Sequence, residues 1–86
     1  MKTEKKLDEI EPETSAYKIL CHLAFRGSVL KPQEIAGKLG ENGSTVRARL
    51  AELKKQGLVE ARPEGYVAIV TPYDLIMKLY RDMDRK

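Results

Sequence analysis

The size and composition of this chain allow one small folded domain and exclude disordered and fibrous classes of protein. Its 86 residues are 42% hydrophobic and 34% charged, with a net charge of +3, a balance typical of globular proteins. The charge is uneven, because residues 1–13 contain three Lys and five Asp or Glu, a balance of −2, which leaves +5 on residues 14–86. That excess is compatible with a phosphate-rich partner such as nucleic acid.

Membrane proteins and enzymes are also disfavoured. No apolar run approaches the roughly 18 residues needed to span a bilayer, and the N-terminus shows no signal-peptide core, so we expect a cytoplasmic protein. One Cys and one His cannot form a structural zinc site, and we expect Cys21 to be a small packing residue and His22 a solvent-facing one. Without paired carboxylates or a glycine-rich phosphate loop, we predict no catalytic residue, no metal and no cofactor.

The first segment, residues 1–11, is predicted to be a flexible charged arm. Lys and Glu alternate there around only Leu7 and Ile10, which is too little apolar surface for a core element. We expect a tail in solvent, with docking of the two apolar side chains against a partner subunit as the alternative. The folded domain is then expected to span residues 12–86.

The first helix is predicted between Pro12 and Arg26. Its apolar side chains recur on one helical face, and Gly27 can end it by adopting the left-handed backbone conformation. Either Thr14 or the Glu11-Pro12 pair can start it. The inward-facing residues are Ala16, Leu20, Leu23 and Ala24.

A short strand at residues 28–30 leads into a predicted helix-turn-helix. The first helix of this unit covers residues 31–39, where Pro32 is tolerated because the first helical position needs no backbone donor. The second begins after Asn42, a favoured N-cap, and ends before Gly57. The residues expected to face the core are Ile35, Ala36 and Leu39 in the first helix, and Val46, Leu50 and Leu53 in the second.

A β-hairpin and a last helix are predicted to follow. Residues 58–62 and 66–70 are rich in β-formers, and Pro63-Glu64-Gly65 between them is predicted to be a three-residue turn. Thr71-Pro72 then starts a helix that is expected to run to about Asp84, with Lys78, Arg81 and Asp82 away from its apolar stripe. That stripe consists of Leu75, Ile76, Leu79, Tyr80 and Met83.

The helix-turn-helix and the hairpin share one pattern. It runs through Ile35-Ala36, Leu39-Gly40, Ser44-Thr45-Val46, Leu50, Leu53 and Gly57-Leu58-Val59, and its most specific part is GSTVRARLAELKKQGLVEA. Over residues 14–70 the chain resembles the winged-helix DNA-binding domains of the MarR and ArsR families of prokaryotic transcriptional regulators. The resemblance implies an α+β winged helix, with a three-helix core, a short strand, a hairpin wing and an added C-terminal helix. It also implies sequence-specific binding of double-stranded DNA with residues 43–56 in the major groove.

The outer face of the helix at residues 43–56 supports DNA binding on physical grounds. Small residues, including Ser44 and Ala48, lie opposite the apolar stripe and let the backbone approach bases in a groove about 12 Å wide. Arg47 is expected to reach bases or near phosphates, and Arg49 to clamp a phosphate. The predicted DNA contacts are Gln33, Lys38, Ser44, Thr45, Arg47, Ala48, Arg49, Lys54 and Arg62, with Lys31 as a further phosphate contact.

The resemblance also implies a homodimer, because family members commonly pair through terminal helices. Two copies would read half-sites about one helical turn apart, with the stripe from Leu75 to Met83 as the interface. The alternative is that this stripe covers the first helix within the same subunit. A different function also stays open: winged helices serve as protein-interaction modules, and Glu52, Glu60 and Glu64 near the expected DNA face favour that role. Glu41 departs from the families, which usually have an apolar residue there.

Overall fold

The computed structural model describes Leu7, residues 9–11 and residues 14–84. Within this part of the chain the elements follow in the predicted order of helix-turn-helix, hairpin and last helix. They are α1 (Ser15–Arg26), α2 (Pro32–Leu39), α3 (Gly43–Lys55), β1 (Val59–Arg62), β2 (Gly65–Ala68) and α4 (Pro72–Asp84). The predicted α+β winged helix is confirmed.

Short polar side chains begin three of the helices at the predicted positions. Thr14 and Asn42 each accept a hydrogen bond from a backbone N–H in the first turn of α1 and α3, at 3.3 Å and 2.9 Å. At α4, Thr71 and Asp74 exchange two such bonds, each side chain accepting from the other residue's backbone N–H, at 3.2 Å and 2.9 Å. These bonds satisfy donors that the first turn of a helix leaves without an intrahelical partner.

The core lies among α1, α2 and α3 and continues into the start of β1. The predicted stripe of α3 is confirmed, because all three of its residues are buried against the other helices. Burial of each such side chain stabilises the fold by about 1.5–3 kcal/mol. The core residues that are at most 1% exposed include Ile19, Leu20, Leu23, Ile35, Val46, Leu50, Leu53 and Leu58.

Leu7 and Ile10 also belong to this core. They are 1% and 7% exposed, and they pack with the buried side chains of the helices. The expectation of a solvent-exposed arm is therefore wrong at these two positions, and so is the alternative of docking on a partner subunit. In a domain this small, much of the apolar surface stays accessible, so two side chains from outside the main helices still find a place in the core. The rest of the predicted arm is outside the described residues, apart from the exposed Glu9 and Glu11.

The wing has a shorter turn than predicted. β1 and β2 pair antiparallel, and Arg62 pairs directly with Gly65, so Pro63 and Glu64 alone form the turn. The three-residue turn predicted from Pro63-Glu64-Gly65 is thus wrong, because the glycine is a member of the ladder.

Position 65 requires glycine because the wing passes close to the segment before α2. Its φ is 147°, and a Cβ at this position would overlap the backbone carbonyl of Leu30, so only glycine fits. Leu30 exchanges two backbone hydrogen bonds with Tyr66, at 2.8 Å and 2.9 Å. The strand predicted at residues 28–30 is reduced to this single bridge, which ties the wing to the start of α2.

α4 packs on the domain through Leu75 and Lys78 and leaves the rest of its predicted apolar stripe exposed. Leu75, one of the residues predicted for the dimer interface, is buried inside the chain at 1% exposed, and the second buried residue is Lys78, which is 0% exposed. Lys78, which was predicted to lie off the apolar stripe, is on the side of the helix that packs against the domain. Its ammonium lies 2.7 Å from Asp82 Oδ2 and 5.8 Å from the centre of the Tyr17 ring on α1. The large apolar residues left exposed on α4 are Tyr73, Ile76, Leu79, Tyr80 and Met83.

Candidate nucleic-acid interface

The turn between α2 and α3 is held by polar groups. Gly40 adopts the left-handed conformation at φ 66°, and the backbone N–H of Glu41 donates to the carbonyl oxygen of Ala36 at 3.0 Å. The Glu41 carboxylate accepts a hydrogen bond from the hydroxyl of Ser15 at 3.2 Å, which links the turn to α1. Glu41 occupies the position where the MarR and ArsR families usually have an apolar residue that anchors the turn. Its hydrogen bond with Ser15 helps to hold the start of α3 against the body of the domain.

α3 exposes small and charged residues and no large apolar side chain. Thr45 and Arg49 are half-buried, while Ser44 is exposed and donates its hydroxyl hydrogen to Asn42 Oδ1 at 2.7 Å. A serine hydroxyl that donates one hydrogen bond retains lone pairs that accept others. The exposed residues of this helix are Ser44, Arg47, Ala48, Ala51, Glu52, Lys54 and Lys55.

The two arginines of α3 have different surroundings. Arg49 Nε lies 3.2 Å from Glu52 Oε1, so the guanidinium is already beside a carboxylate. The same Nε is buried and makes no hydrogen bond of good geometry, so we regard the contact as an ion pair only. Arg47 extends toward the beginning of the helix, where its Nη1 would lie 3.6 Å from a Cβ added at Gly43. Arg47 therefore faces α2 and the wing, and Arg49 does not share that site.

A cleft of about 340 Å³ separates the wing from the start of α2 and the near side of α3. Three cationic side chains line it, each from a different part of the fold, together with one carboxylate. The structure thus brings together four of the predicted contacts, which are Lys31, Gln33, Arg47 and Arg62. The lining residues are Lys31, Pro32, Gln33, Arg47, Ala61, Arg62, Pro63, Glu64, Gly65 and Tyr66.

Arg62 is partly neutralised on the wing itself. Its Nε donates to Glu60 Oε1 at 2.9 Å, and its Nη2 lies 2.8 Å from the same oxygen. Both side chains are about half exposed, at 51% and 53%. An exposed ion pair of this kind contributes little, about 0–1 kcal/mol, so a phosphate can replace the carboxylate at low cost.

The remaining predicted contacts lie outside the cleft. Lys38 is exposed in the last turn of α2, at the opposite end of that helix from Pro32. Lys54 is exposed in the last turn of α3. These two lysines therefore add positive charge to the surface without lining the cleft.

Tyr66 is a cleft residue that inspection of the sequence did not identify. Its alternating neighbours predict only a strand, and nothing near it in the sequence refers to α2. It reaches the cleft because Leu30 holds its backbone beside the start of α2. Only this long-range bridge could have indicated the position.

Two residues on α1 have raised pKa values. Burial raises the pKa of the Tyr17 hydroxyl, with a further contribution from the neighbouring Cys21, and the hydroxyl is buried without a hydrogen-bond partner. Burial also raises the pKa of the Cys21 thiol, although the neighbouring Tyr17 hydroxyl acts in the opposite direction. Both shifts favour the neutral form. Neither residue lines the cleft, and a thiol with a raised pKa is a poor nucleophile.

Searches for other kinds of site in the described residues are negative. No group of three or more His, Cys, Asp or Glu in residues 14–84 and the few described before them could hold a metal ion. None of the described helices is both long enough and apolar enough to cross a membrane.

The fold and the surface of α3 define a class of protein. A helix-turn-helix whose second helix exposes small and basic residues, followed directly by a hairpin wing, is the architecture of a winged-helix DNA-binding domain. The cationic cleft beside that helix suits a polyanionic partner.

Residues 14–81, about four-fifths of the chain, match the family described as winged helix-turn-helix transcription repressor, HrcA DNA-binding. The chain therefore belongs to this family, and it is a sequence-specific domain that binds double-stranded DNA in transcription regulation. The predicted winged-helix class is confirmed, whereas the particular resemblance to the MarR and ArsR families is not. Comparisons with curated proteins and with solved structures gave no significant match.

Proposed function

We propose that the protein is a prokaryotic, cytoplasmic repressor that acts as a homodimer, placing one copy of α3 in each of two successive major grooves. The family match carries this proposal, because it extends from α1 into α4 and describes DNA-binding repressors. The activity in this proposal is binding alone, without catalysis or a cofactor. A dimer bound in this way represses by occupying DNA that other proteins must reach.

We assign base recognition to the small residues on the outer face of α3. Ser44 and Thr45 lie in its first turn, where hydroxyl groups can donate to or accept from base edges. Ala48, one turn further along, is exposed and can contact a thymine methyl group. The absence of bulk at these positions allows the helix backbone to lie deep in the groove.

We assign backbone contacts to the charged residues around that face. Lys38 and Lys54 are exposed and can reach phosphates from the ends of their helices. Arg49 contributes less, because Glu52 already neutralises part of its charge. Gln33, Arg47 and Arg62 act from the cleft, where the wing approaches α2.

The dimer in this proposal forms through the exposed apolar face of α4. Ile76, Leu79, Tyr80 and Met83 are 42–74% exposed, and at about 100 Å² each they form a patch of a few hundred Å², as large as the largest patch on most monomers. Two copies of this patch, with the polar residues around them, approach the roughly 1,000 Å² of a specific interface. Leu75, which is 1% exposed, packs inside the chain and lies outside the proposed interface.

A salt titration tests the DNA-binding part of the proposal. The whole chain is titrated against a labelled random duplex of about 20 base pairs, and the affinity is followed by fluorescence anisotropy at rising NaCl concentrations. Several phosphate contacts predict that the logarithm of the association constant falls by about 0.9 per contact for each tenfold rise in salt. Lys54→Ala should reduce this slope, and Lys18→Ala, at an exposed position of α1, is the matched control that should not. Absence of binding at low salt overturns the proposal and favours a protein-interaction module.

The spacing of the two recognition helices tests the dimer. A structure of the protein with a palindromic duplex should place the two copies of α3 about 34 Å apart, which is one turn of B-DNA. A monomer bound to a single half-site would contradict it.

A further inference from the structure

We infer that the cleft between the wing and the start of α2 holds one phosphate of the DNA backbone, and that Arg47 clamps this phosphate instead of reading bases. The inference rests on the proposed function and specifies one contact within it. The wing, the start of α2 and the near side of α3 together form the walls of this phosphate site.

The orientation of Arg47 is the first observation. Its side chain lies back toward Gly43 and lines the cleft, so its guanidinium is on the side of α3 that faces the wing. A side chain that reads bases from the centre of the recognition helix would project outward from the small residues at 44 and 48. A guanidinium beside two other cations is placed for a phosphate, to whose oxygens it can donate a pair of parallel hydrogen bonds.

The charge balance of the cleft is the second observation. Lys31, Arg47 and Arg62 line it, against the carboxylate of Glu64 in the lining and that of Glu60, which pairs with Arg62 from outside the lining. α2 also begins there, at Pro32, so the positive end of that helix dipole faces the same space. A site with this balance favours an anion.

The remaining walls suit the rest of a nucleotide backbone unit. Pro32, Pro63 and Tyr66 offer apolar surfaces next to the cations. A deoxyribose ring can pack on such surfaces while its phosphate faces the charges. A water molecule takes up about 30 Å³ in the liquid. A cleft of about 340 Å³ therefore has room for one sugar-phosphate unit together with water.

Neutral replacement of single phosphates tests the inference directly. The probe is a duplex recovered by in vitro selection with the whole chain, in which one phosphate at a time is replaced by an uncharged methylphosphonate. Wild-type protein should lose about tenfold in affinity at one position per half-site, and Arg47→Ala should lose less than twofold there, because the partner is already missing. Lys54→Ala, on the same helix but outside the cleft, is the control and should keep the full tenfold sensitivity at that position. Equal sensitivity of Arg47→Ala and wild type overturns the inference.

Two further variants keep the test independent of folding defects. Arg47→Lys retains a charge but not the forked geometry, and it should recover part of the sensitivity. Glu60→Gln releases Arg62 from its ion pair and should tighten binding of the selected and random duplexes by the same factor, about two- to threefold, as expected for a weak exposed pair. Circular dichroism confirms that each variant is folded. A change in the sequence that Arg47→Ala selects from random DNA would show that Arg47 reads bases, and would overturn the inference.

The anion in the cleft could come from the DNA backbone or from a soluble phosphorylated ligand, and a titration with inorganic phosphate distinguishes these two sources. In a titration followed by NMR without DNA, cleft residues should shift only at millimolar phosphate, as expected for a fragment of the true ligand. Saturation at micromolar phosphate, with displacement of the duplex, would assign the cleft to a soluble phosphorylated ligand and overturn the inference. If wild-type protein binds no duplex at any salt concentration, it is the proposed function that fails.

Discussion

α3 and α4 are both 13 residues long and each rests on the domain by one edge, yet they expose opposite kinds of surface. α3 buries Val46, Leu50 and Leu53 and shows small and charged residues to solvent. α4 buries Leu75 and Lys78 and leaves most of its large apolar side chains outside. The first arrangement produces a surface for a polyanion, and the second produces a surface for another apolar face.

The difference shows that an apolar stripe does not by itself decide which side of a helix turns inward. Burial of an ammonium group costs several kcal/mol unless it is paired. In α4 that cost is offset, because Lys78 lies 2.7 Å from Asp82 and over the ring of Tyr17. Because α4 buries a lysine and leaves its apolar residues exposed, those apolar residues are available for the dimer contact that we propose.

The largest expected effect compares how much a leucine of α3 and a leucine of α4 contribute to the free energy of unfolding. Leu50→Ala on α3 removes a side chain that is 0% exposed and should lower the free energy of unfolding by about 3 kcal/mol. Leu79→Ala on α4, where the side chain is 42% exposed, should cost below about 1 kcal/mol under conditions where the chain is monomeric. Urea denaturation measures both. Equal losses would contradict the comparison.

The buried lysine of α4 should contribute the next largest effect. Lys78→Ala removes the ion pair with Asp82 and opens a cavity, so we expect a loss of about 2 kcal/mol, below the range for fully buried pairs because the Asp82 side chain is 14% exposed. Lys78→Met restores most of the volume without the charge and should lose less. Thermal and urea unfolding of the two variants would refute this account if methionine were the more destabilising replacement.

The exposed apolar face of α4 should control dimerisation without affecting the fold. Tyr80→Glu places a charge at a position that is 63% exposed and should convert the dimer to a monomer, with about a tenfold loss of affinity for a two-site duplex through lost avidity. Light scattering gives the mass and anisotropy the affinity. Phe25→Glu, at an aromatic residue on α1 that is 59% exposed, is the matched control and should remain dimeric. A monomeric wild-type protein at micromolar concentration would remove the proposed interface.

The smallest expected effect is a loss of stability at alkaline pH, from Tyr17 and Cys21 on α1. The pKa values of Cys21 and Tyr17 are raised in the folded state, so the unfolded chain loses these protons first. Their contribution is therefore complete below the ordinary pKa of a thiol, about 9, and is lost as pH rises above it. Cys21→Ala should flatten the fall in unfolding free energy between about pH 9 and 11. The same slope in wild type and variant would contradict this assignment.

Much of the fold was predictable from features that lie close together in the chain. Thr14, Asn42 and Thr71 were identified as helix starts, and the structure shows each accepting a backbone hydrogen bond within three residues. The stripe of Val46, Leu50 and Leu53 follows from helical periodicity alone. From these the helix-turn-helix, and with it the outer face of α3, could be recognised.

The candidate site was only partly predictable. Gln33, Arg47 and Arg62 were proposed individually, but nothing in their local sequence places them in one cleft with Tyr66. Arg47 and Arg49 were both predicted to contact DNA, but residues two apart on a helix do not face the same way, and Arg49 pairs with Glu52 instead of lining the cleft.

Caps and stripes could be derived from the amino-acid sequence because a helical hydrogen bond or a helical face joins residues within one or two turns. The burial of Leu7 and Lys78, the glycine required at position 65 and the cleft all depend on residues that are far apart in the chain. Those contacts exist only after the helices and the wing have packed, because each needs a partner surface that no local segment contains. Packing therefore decided that the basic surface of α3 meets the wing, and that the apolar surface of α4 faces outward.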